Sequence, residues 1–190
     1  MPNFLKKSFY INCFIVILIF VLDRVTKIYV INFYDNNLGN DLLNSKYLNI
    51  RLIWNEGIAF GLFSFDEKIF YDILTLLIGL VIIIIFLMLK TNEGLKKYSL
   101  LIILGGASGN FYDRVKYNAV PDFIDFHIGN LHWFIFNPAD IFITIGVICL
   151  ILDEFIFKNK RDDLKNIINN HPNFTLFLPI SKRCTHRKKI

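Results

Sequence analysis

The stretch "ILTLLIGLVIIIIFLML", residues 73–89, holds 17 consecutive residues without a charge. A helix that crosses a bilayer needs roughly 17–25 apolar residues, so this run predicts a membrane span, which we extend to about 69–89. The whole chain of 190 residues is 54% hydrophobic, whereas soluble domains average about 45–50% with glycine counted. Length and composition together therefore predict a membrane protein rather than one soluble domain.

Similar apolar runs lie on both sides of this span. The first contains "DRVTK" at 23–27 and has no small-x-small cleavage site, which favours an uncleaved span over a signal peptide. The third ends at the charged residues Asp113 and Arg114, and the fourth begins near Pro138. The predicted spans cover about 8–33, 69–89, 98–114 and 138–157.

The orientation of the spans follows from the positive charges. Most of the 21 Lys and Arg residues lie at the amino end, in the loop after the second span, and in the tail after Phe157. Cytoplasmic segments carry an excess of these residues, so both termini are expected in the cytoplasm. The segments 34–68 and 115–137 then lie outside, and a single membrane domain, 1–157, precedes a basic cytoplasmic tail, 158–190. This charge pattern indicates membrane orientation and no binding of nucleic acid.

Both outer segments have the composition of strands. "YLNIRLIWNEGIAFGLF" (47–63) and "VPDFIDFHIGNLHWFIF" (120–136) are rich in aromatic and β-branched residues, and Gly129-Asn130 suits a hairpin turn. We expect short antiparallel strands on the outer membrane surface, with Trp54 and Trp133 at the interface. The predicted fold is an all-α polytopic membrane protein with four transmembrane helices, both termini cytoplasmic, and a small antiparallel β platform on the extracytoplasmic face.

Ionisable residues lie inside or beside the predicted spans, where they are costly and are functional candidates by default. The predicted orientation places all of them toward the outer side, so they could converge on one site. They are Asp23, Arg24, Lys27, Asp72, Asp113, Arg114 and Asp140, with Asp122 and Asp125 close by.

Several of these residues also have a purely structural interpretation. Asp23 and Lys27 are four apart and could form an ion pair on one helix face. Asn137 can cap the fourth helix, and Asp140, three positions later, suits the positive end of the helix dipole.

The end of the third span has a structural interpretation as well. Gly105 and Gly109, spaced by four, allow close helix packing. Asn110, Asp113 and Arg114 lie on one helix face by their spacing, and they could be a self-satisfied polar cluster that ends the span.

The sequence contains no convincing metal site or disulfide framework. Cys13, Cys149 and Cys184 form no CxxC pair. His127 and His132 are five apart in the predicted hairpin, but no convincing set of partner ligands accompanies them. We therefore expect neither a metal nor a cofactor.

Two or more aspartates at one site are typical of hydrolysis. One ionised carboxylate can take a proton from water while the other, protonated, donates to the carbonyl under attack, because two nearby carboxylates share a proton. Ser64 and Ser108 lack a convincing histidine partner, and neither GxSxG nor HExxH occurs. By elimination, an enzyme built on this sequence would be an aspartic hydrolase.

Five ordered blocks, spread over about residues 10–157, carry a resemblance to a known family. They are "DRVTK" (23–27), "NEGIAFGLF" (55–63), "GGASGNFYDR" (105–114), "VPDFIDF" (120–126) and "FNPADIFITIG" (136–146). In this order, on a four-span hydropathy pattern, they resemble the blocks of bacterial lipoprotein signal peptidase, also called signal peptidase II.

The resemblance implies an aspartic peptidase that removes the signal peptide from lipid-modified prolipoproteins, just before the diacylglyceryl-bearing cysteine. It implies Asp122 and Asp140 as the catalytic pair. Asp113 is the alternative to Asp122 as the first catalytic aspartate. Arg114 follows Asp113 directly, however, and this suits an ion-paired supporting role for Asp113. The supporting or substrate-binding residues that it implies are Asp23, Lys27, Asn55, Gly57, Asn110, Asp113, Arg114 and Asn137.

The expected partners are lipid-modified prolipoproteins and membrane lipids, and the expected state is a monomer in the bacterial inner membrane with its active site on the extracytoplasmic side. Two features depart from the family. Pro121 stands where a β-branched residue is usual, which removes a backbone donor, and the tail after Phe157 is unusually long.

Three alternatives stay open at this point. A small four-span transporter or channel would use the membrane aspartates as a proton or ion relay. A presenilin-type protease is disfavoured because Gly-x-Gly-Asp does not occur, and a non-enzymatic assembly factor would leave the aspartates unexplained.

Overall fold

The structure, a computed structural model, describes residues 3–57, 67–129 and 131–170. Within these ranges the chain forms four helices and a small antiparallel sheet, as the sequence predicted. In chain order the elements are α1 (Asn3–Asn36), β1 (Leu43–Asn44), β2 (Leu48–Asn55), α2 (Glu67–Met88), α3 (Gly94–Tyr117), β3 (Val120–Ile128), β4 (Leu131–Phe136) and α4 (Pro138–Asn170).

Helix α2 is the most apolar of these elements. Among the described residues, its segment Tyr71–Met88 is the one helical stretch whose length and composition suffice to cross a membrane. Its aliphatic side chains are widely exposed, with 74% of Leu76 and 57% of Ile83 accessible. Contiguous exposed apolar surface of this kind marks contact with a membrane or a partner. The other three predicted spans fall on α1, α3 and α4, where charged residues interrupt the apolar runs.

Helix α4 runs further than the sequence predicted. We expected the fourth helix to end near 157, but it continues to Asn170. Its last part is polar, yet it contains no Gly and no Pro before Pro172, so nothing in the backbone chemistry interrupts the helix. One compact unit of the chain ends at Leu150, and the site described below lies entirely within it.

Small residues of α3 allow the neighbouring helices to approach closely. A Cβ on Gly105 would lie 2.8 Å from a Cβ of α1, and a Cβ on Gly109 would lie 2.5 Å from Oδ2 of Asp23. On the side of α4, a Cβ on Gly106 would lie 2.6 Å from the carbonyl oxygen of Ala139. The predicted packing role of Gly105 and Gly109 is confirmed, and this packing holds α3 against the parts of α1 and α4 that carry polar groups.

The four strands form one sheet in the order β1-β2-β3-β4. Ile53 of β2 pairs with Asp122 of β3, and His127 pairs with His132 across the β3–β4 hairpin. The hairpin turns at Gly129, whose φ of +60° favours a residue without a side chain. The predicted hairpin is confirmed, although the second residue of its predicted turn lies outside the described residues.

The sheet packs on the second half of α1. Val30, Leu52 and Phe123 are buried together and join the helix to β2 and β3. Pro121 is buried within β3, opposite Trp54, and the pairing continues beyond it to the end of β2. Its missing N–H therefore does not end the ladder, and β3 is fixed against α1 on one side and β2 on the other.

Candidate active site

Asp122 lies near the start of β3 and is almost fully buried, with 4% of its surface exposed. Both carboxylate oxygens accept hydrogen bonds from side-chain amides. Nδ2 of Asn55 donates to Oδ2 at 2.9 Å, and Nδ2 of Asn137 donates to Oδ1 at 2.6 Å. Burial raises the pKa of Asp122 to about 6, against the lowering effect of these two amides. The carboxyl group can therefore gain or lose its proton close to neutral pH.

Asp140 lies in the first turn of α4, where local chemistry fixes it. Oδ1 of Asn137 accepts a hydrogen bond from the backbone N–H of Asp140 at 3.2 Å, and Oδ2 of Asp140 accepts one from the backbone N–H of Asn137 at 3.1 Å. This reciprocal arrangement has the form of a capping box. The predicted cap at Asn137 is confirmed. The second oxygen, Oδ1 of Asp140, accepts from Nδ2 of Asn110 at 2.8 Å, so α3 also positions it.

Asn137 connects the two carboxylates. Its oxygen binds the backbone of Asp140, and its amide nitrogen donates to Asp122. The negative charge of Asp140 contributes to the raised pKa of Asp122, so the two groups interact electrostatically. A neighbouring negative charge of this kind disfavours ionisation of both carboxyl groups at once. The structure thus brings together the two aspartates that the resemblance implied.

A buried ionic cluster lies behind this pair and joins α1 to α3. Nζ of Lys27, which is fully buried, donates to Oδ2 of Asp113 at 2.7 Å and to Oδ1 of Asn110 at 2.8 Å. It also pairs with Oδ1 of Asp23 at 2.9 Å, which confirms the predicted Asp23–Lys27 ion pair. The same oxygen of Asp23 accepts from the backbone N–H of Ala139, at the start of α4. The cluster therefore holds Asn110, and through it Asp140, in position.

Asp113 belongs to this ionic cluster. Its carboxylate oxygens accept hydrogen bonds from the guanidinium of Arg24 and from Lys27. The predicted ion-paired role is present, but the expectation that the adjacent Arg114 is its partner is wrong. Both oxygens of Asp113 are therefore engaged by cations, so Asp113 is poorly placed to act together with a second aspartate.

Sequence reasoning named Arg24 as an ionisable residue but gave it no role in the site. Arg24 donates to both Asp23 and Asp113, and its guanidinium lies 4.9 Å from the ring centre of Tyr112. Charge balance could have indicated this role, because a buried cluster with two aspartates and one lysine needs a second cation. Arg24 lies one helical turn from Lys27 and is therefore close enough to supply it.

Arg114 faces a different part of the site. Its guanidinium lies 5.5 Å from the ring centre of Tyr71, and a Cβ on Gly57 would lie 3.2 Å from its NH1. The backbone N–H of Gly57 donates to Oδ1 of Asn55 at 2.8 Å. Asn55 therefore links this region to Asp122, and the φ of +82° at Gly57 keeps the backbone close to the arginine. Within the described residues, Nε and NH1 of Arg114 have no hydrogen-bond partner.

A cavity of 410 Å³ opens beside Asp122 and connects the carboxylate to the outside of the protein. Its wall combines apolar and polar side chains, as sites for peptides or small molecules commonly do. The lining residues are Ile53, Trp54, Asn55, Glu56, Asp122 and Ile135.

Two aspartates joined through Asn137, one of them buried beside a cavity, on a helical framework with an apolar exterior, are what a hydrolase of the membrane-enzyme class requires. Comparison with known proteins makes the family explicit. The model of the signal peptidase (SPase) II family matches residues 15–156, which is most of the chain. The chain belongs to the signal peptidase II family and is therefore a peptidase; the resemblance found in the sequence is confirmed.

Individual relatives agree with this assignment. A lipoprotein signal peptidase of Pelagibacter ubique (strain HTCC1062) is 51% identical over 160 residues, covering 84% of this chain and 96% of the relative. One from Anaplasma marginale (strain Florida) is 33% identical over 156 residues, covering 81% of this chain and 89% of the relative. A solved bacterial membrane enzyme matches with a TM-score of 0.59 at 30% identity, covering 74% of this chain and 90% of that one. Family and structural neighbours favour a membrane peptidase over a transporter or channel.

Proposed function

We propose that this protein is a membrane aspartic endopeptidase that removes the signal peptide from diacylglyceryl-modified prolipoproteins, cutting just before the lipidated cysteine. The observation that carries the mechanism is the pair Asp122 and Asp140, joined through Asn137, with Asp122 lining the cavity. The family membership and the names of the relatives support the substrate class.

The two carboxyl groups divide the acid and base roles in this proposal. Asp122, with its pKa raised to about 6, holds the shared proton and donates it to the scissile carbonyl oxygen. Asp140, ionised, takes a proton from the attacking water. The resulting tetrahedral diol then collapses: Asp140 gives its proton to the leaving nitrogen while Asp122 recovers one from a hydroxyl group. Both carboxyl groups return to their starting states, and water is divided between the two products.

The remaining residues position the pair and the substrate. Asn55 and Asn137 orient Asp122, and Asn110 orients Asp140. The guanidinium of Arg114, which has no hydrogen-bond partner among the described residues at Nε and NH1, is available to bind a carbonyl of the extended substrate.

We further propose that α1, α2, α3 and α4 cross the bacterial inner membrane, with both termini in the cytoplasm and the site near the outer surface. The distribution of Lys and Arg supports this orientation. Exposed apolar side chains on three helices agree with contact with lipid, for example Phe14 of α1, Leu76 of α2 and Ile148 of α4. A substrate anchored by its diacylglyceryl group would hold its scissile bond at a fixed depth near that surface.

The experiment that tests this proposal uses the purified full-length protein and a synthetic diacylglyceryl-modified precursor, with release of the signal peptide measured. We expect cleavage of the lipidated precursor, little cleavage of its unlipidated twin, and no loss of activity with a chelator. Asp122→Asn and Asp140→Asn should each abolish cleavage, whereas Asp72→Asn, at an exposed position, should retain it. Equal cleavage of both precursors would contradict the substrate class, and an active Asp122→Asn or Asp140→Asn protein would contradict the assigned pair.

A further inference from the structure

Three side chains on the β3–β4 hairpin form a cluster that the proposed peptidase chemistry does not use. Asp125, His127 and His132 each offer a ligand atom, and these atoms lie within 4.8 Å of one another. Nδ1 of His132 lies 2.9 Å and 3.0 Å from the two carboxylate oxygens of Asp125, which is fully buried. The rings of His127 and His132 stack with their centres 5.1 Å apart.

The pairing of the strands brings the three residues together. His127 and His132 are direct cross-strand partners. Asp125 precedes His127 by two residues on β3, the spacing that returns a strand to the same face, although the pairing with β4 shifts register between these two residues. The two histidines alone gave no convincing ligand set in the sequence. The third ligand becomes apparent only once the hairpin register is known.

One nitrogen of the cluster lacks a partner. Nδ1 of His127 is buried and has no hydrogen-bond partner within the described residues. A buried polar atom left unpaired is costly to the folded state. The neighbouring groups that could compensate for it are the imidazole of His132 and the carboxylate of Asp125.

We propose that Asp125, His127 and His132 bind a divalent transition-metal ion, zinc in the first instance. Two imidazole nitrogens and one carboxylate oxygen, with water in the fourth position, are a ligand set that zinc accepts. Ligand atoms around tetrahedral zinc lie roughly 3.5 Å apart, given bonds of about 2.0–2.2 Å. The nearest Asp125 oxygen lies 2.9 Å from Nδ1 of His132, and the three ligand atoms lie within 4.8 Å of one another, so small side-chain rotations would bring them to this spacing.

Arg51 competes with the metal for Asp125. Its Nε lies 3.1 Å from Oδ2 of Asp125, and a third of its side chain is exposed, so it can turn toward solvent. A positive charge at this distance opposes binding of a second cation. Replacing Arg51 by an uncharged residue should therefore increase the affinity for zinc, an effect that a purely structural Asp125–His132 hydrogen bond does not predict.

The bound ion would tie the two strands of the hairpin together, and β3 carries Asp122 only three residues before Asp125. An ion that binds the folded state alone raises its stability according to its concentration relative to the dissociation constant. This role is separate from catalysis, so zinc removal should lower thermal stability and leave signal-peptide release in place.

The test uses the full-length protein in detergent, free of any polyhistidine tag, with His171→Gln, Cys184→Ser and His186→Gln introduced to remove the histidines and the cysteine that follow residue 170. Zinc chloride is titrated by calorimetry, and unfolding temperature is followed in parallel. We expect one zinc per chain and an increase in unfolding temperature. Adding His127→Gln or His132→Gln should weaken binding at least tenfold, while Arg51→Gln should strengthen it.

The possible results distinguish the metal-site proposal from the proposed peptidase function. Absence of zinc binding up to 1 mM zinc, or binding that survives both histidine substitutions, would overturn the proposal. The signal-peptide cleavage assay checks that the histidine variants are folded, because neither histidine belongs to the proposed catalytic machinery. Loss of zinc binding with cleavage intact supports the metal site, and failure of cleavage in the parent protein would bear on the proposed function alone.

Discussion

Asn137 makes two contacts with different roles, and substitutions can distinguish these roles. It caps α4, and it donates a hydrogen bond of 2.6 Å to Asp122. Asn137→Ser keeps a good capping oxygen but has no amide nitrogen to reach Asp122, whereas Asn137→Ala removes both functions. Both variants lose the hydrogen bond to the buried Asp122 and should be less stable than the parent, and the alanine variant should lose about 0.5–2 kcal/mol more from the missing cap.

The effect on catalysis can be derived from the same contacts. A hydrogen bond to a charged group contributes about 1.5–3 kcal/mol. Since about 1.4 kcal/mol corresponds to a factor of ten in rate, losing this bond should reduce kcat/KM roughly 10- to 150-fold in both variants. The Asn137 amide lowers the pKa of Asp122, so without it that pKa rises above 6. The alkaline limb of the pH–rate profile should therefore move to higher pH.

The assay measures initial rates of signal-peptide release from a lipidated precursor between pH 5 and pH 9, together with thermal unfolding in detergent. Asn137→Asp serves as a matched control because it keeps a capping oxygen of nearly the same size but adds negative charge beside Asp122. It should be folded and less active than the serine variant. Full activity of Asn137→Ser, or an alkaline limb that does not move, would refute a role for the contact between Asn137 and the proposed catalytic pair.

Three further predictions follow from the site. The folded-state pKa of Asp122 is about 6, above its ordinary 3.8, so this group stabilises the fold fully below about pH 4 and its contribution should disappear as pH rises through 6. Unfolding measured across this pH range checks the expectation. Asn55→Ala should shift the loss of stability to higher pH, and an unchanged midpoint would contradict this. Lys27→Met leaves the buried carboxylates of the ionic cluster short of a cation, so it should cost about 3–5 kcal/mol of stability in thermal or denaturant unfolding, an expectation that a near-parental unfolding temperature would exclude. Gly109→Ala places a Cβ 2.5 Å from a carboxylate oxygen of Asp23, which should cost about 1–3 kcal/mol and reduce cleavage; parental stability would show that α1 and α3 do not pack this closely.

Local sequence signals predicted much of the fold. The apolar runs became helices, because hydrophobic segments of that length satisfy their backbone groups internally. The start of α4 was predictable to the residue, since Asn137, Pro138 and Asp140 act within one turn. The turn of the β3–β4 hairpin was predicted for the same reason. The end of α4 was not, because polarity alone neither ends nor extends a helix and its closing segment contains no residue that breaks one.

The candidate site could be predicted as a list of residues but not as a set of contacts. The five blocks identified Asp122 and Asp140, and their positions in a strand and a helix followed from local patterns. Their partners did not follow, because a side chain that must satisfy a buried charge chooses among residues far apart in the chain. Arg24 and Asp113 are 89 positions apart, and adjacency in sequence pointed wrongly to Arg114.

The sequence by itself determined the class of this protein. Apolar runs, the distribution of positive charge and ordered polar blocks together indicate a membrane peptidase. These signals can be read from the sequence because each of them acts within one turn, one strand or one span. Only the tertiary structure decided which charges pair, why Asp113 is occupied by two cations, and how Asn137 joins Asp122 to Asp140. It also placed Asp125 beside the two paired histidines of the hairpin. The physical reason is common to these cases, since buried polar groups must be satisfied at distances near 3 Å, and close helix packing and strand register determine which groups meet.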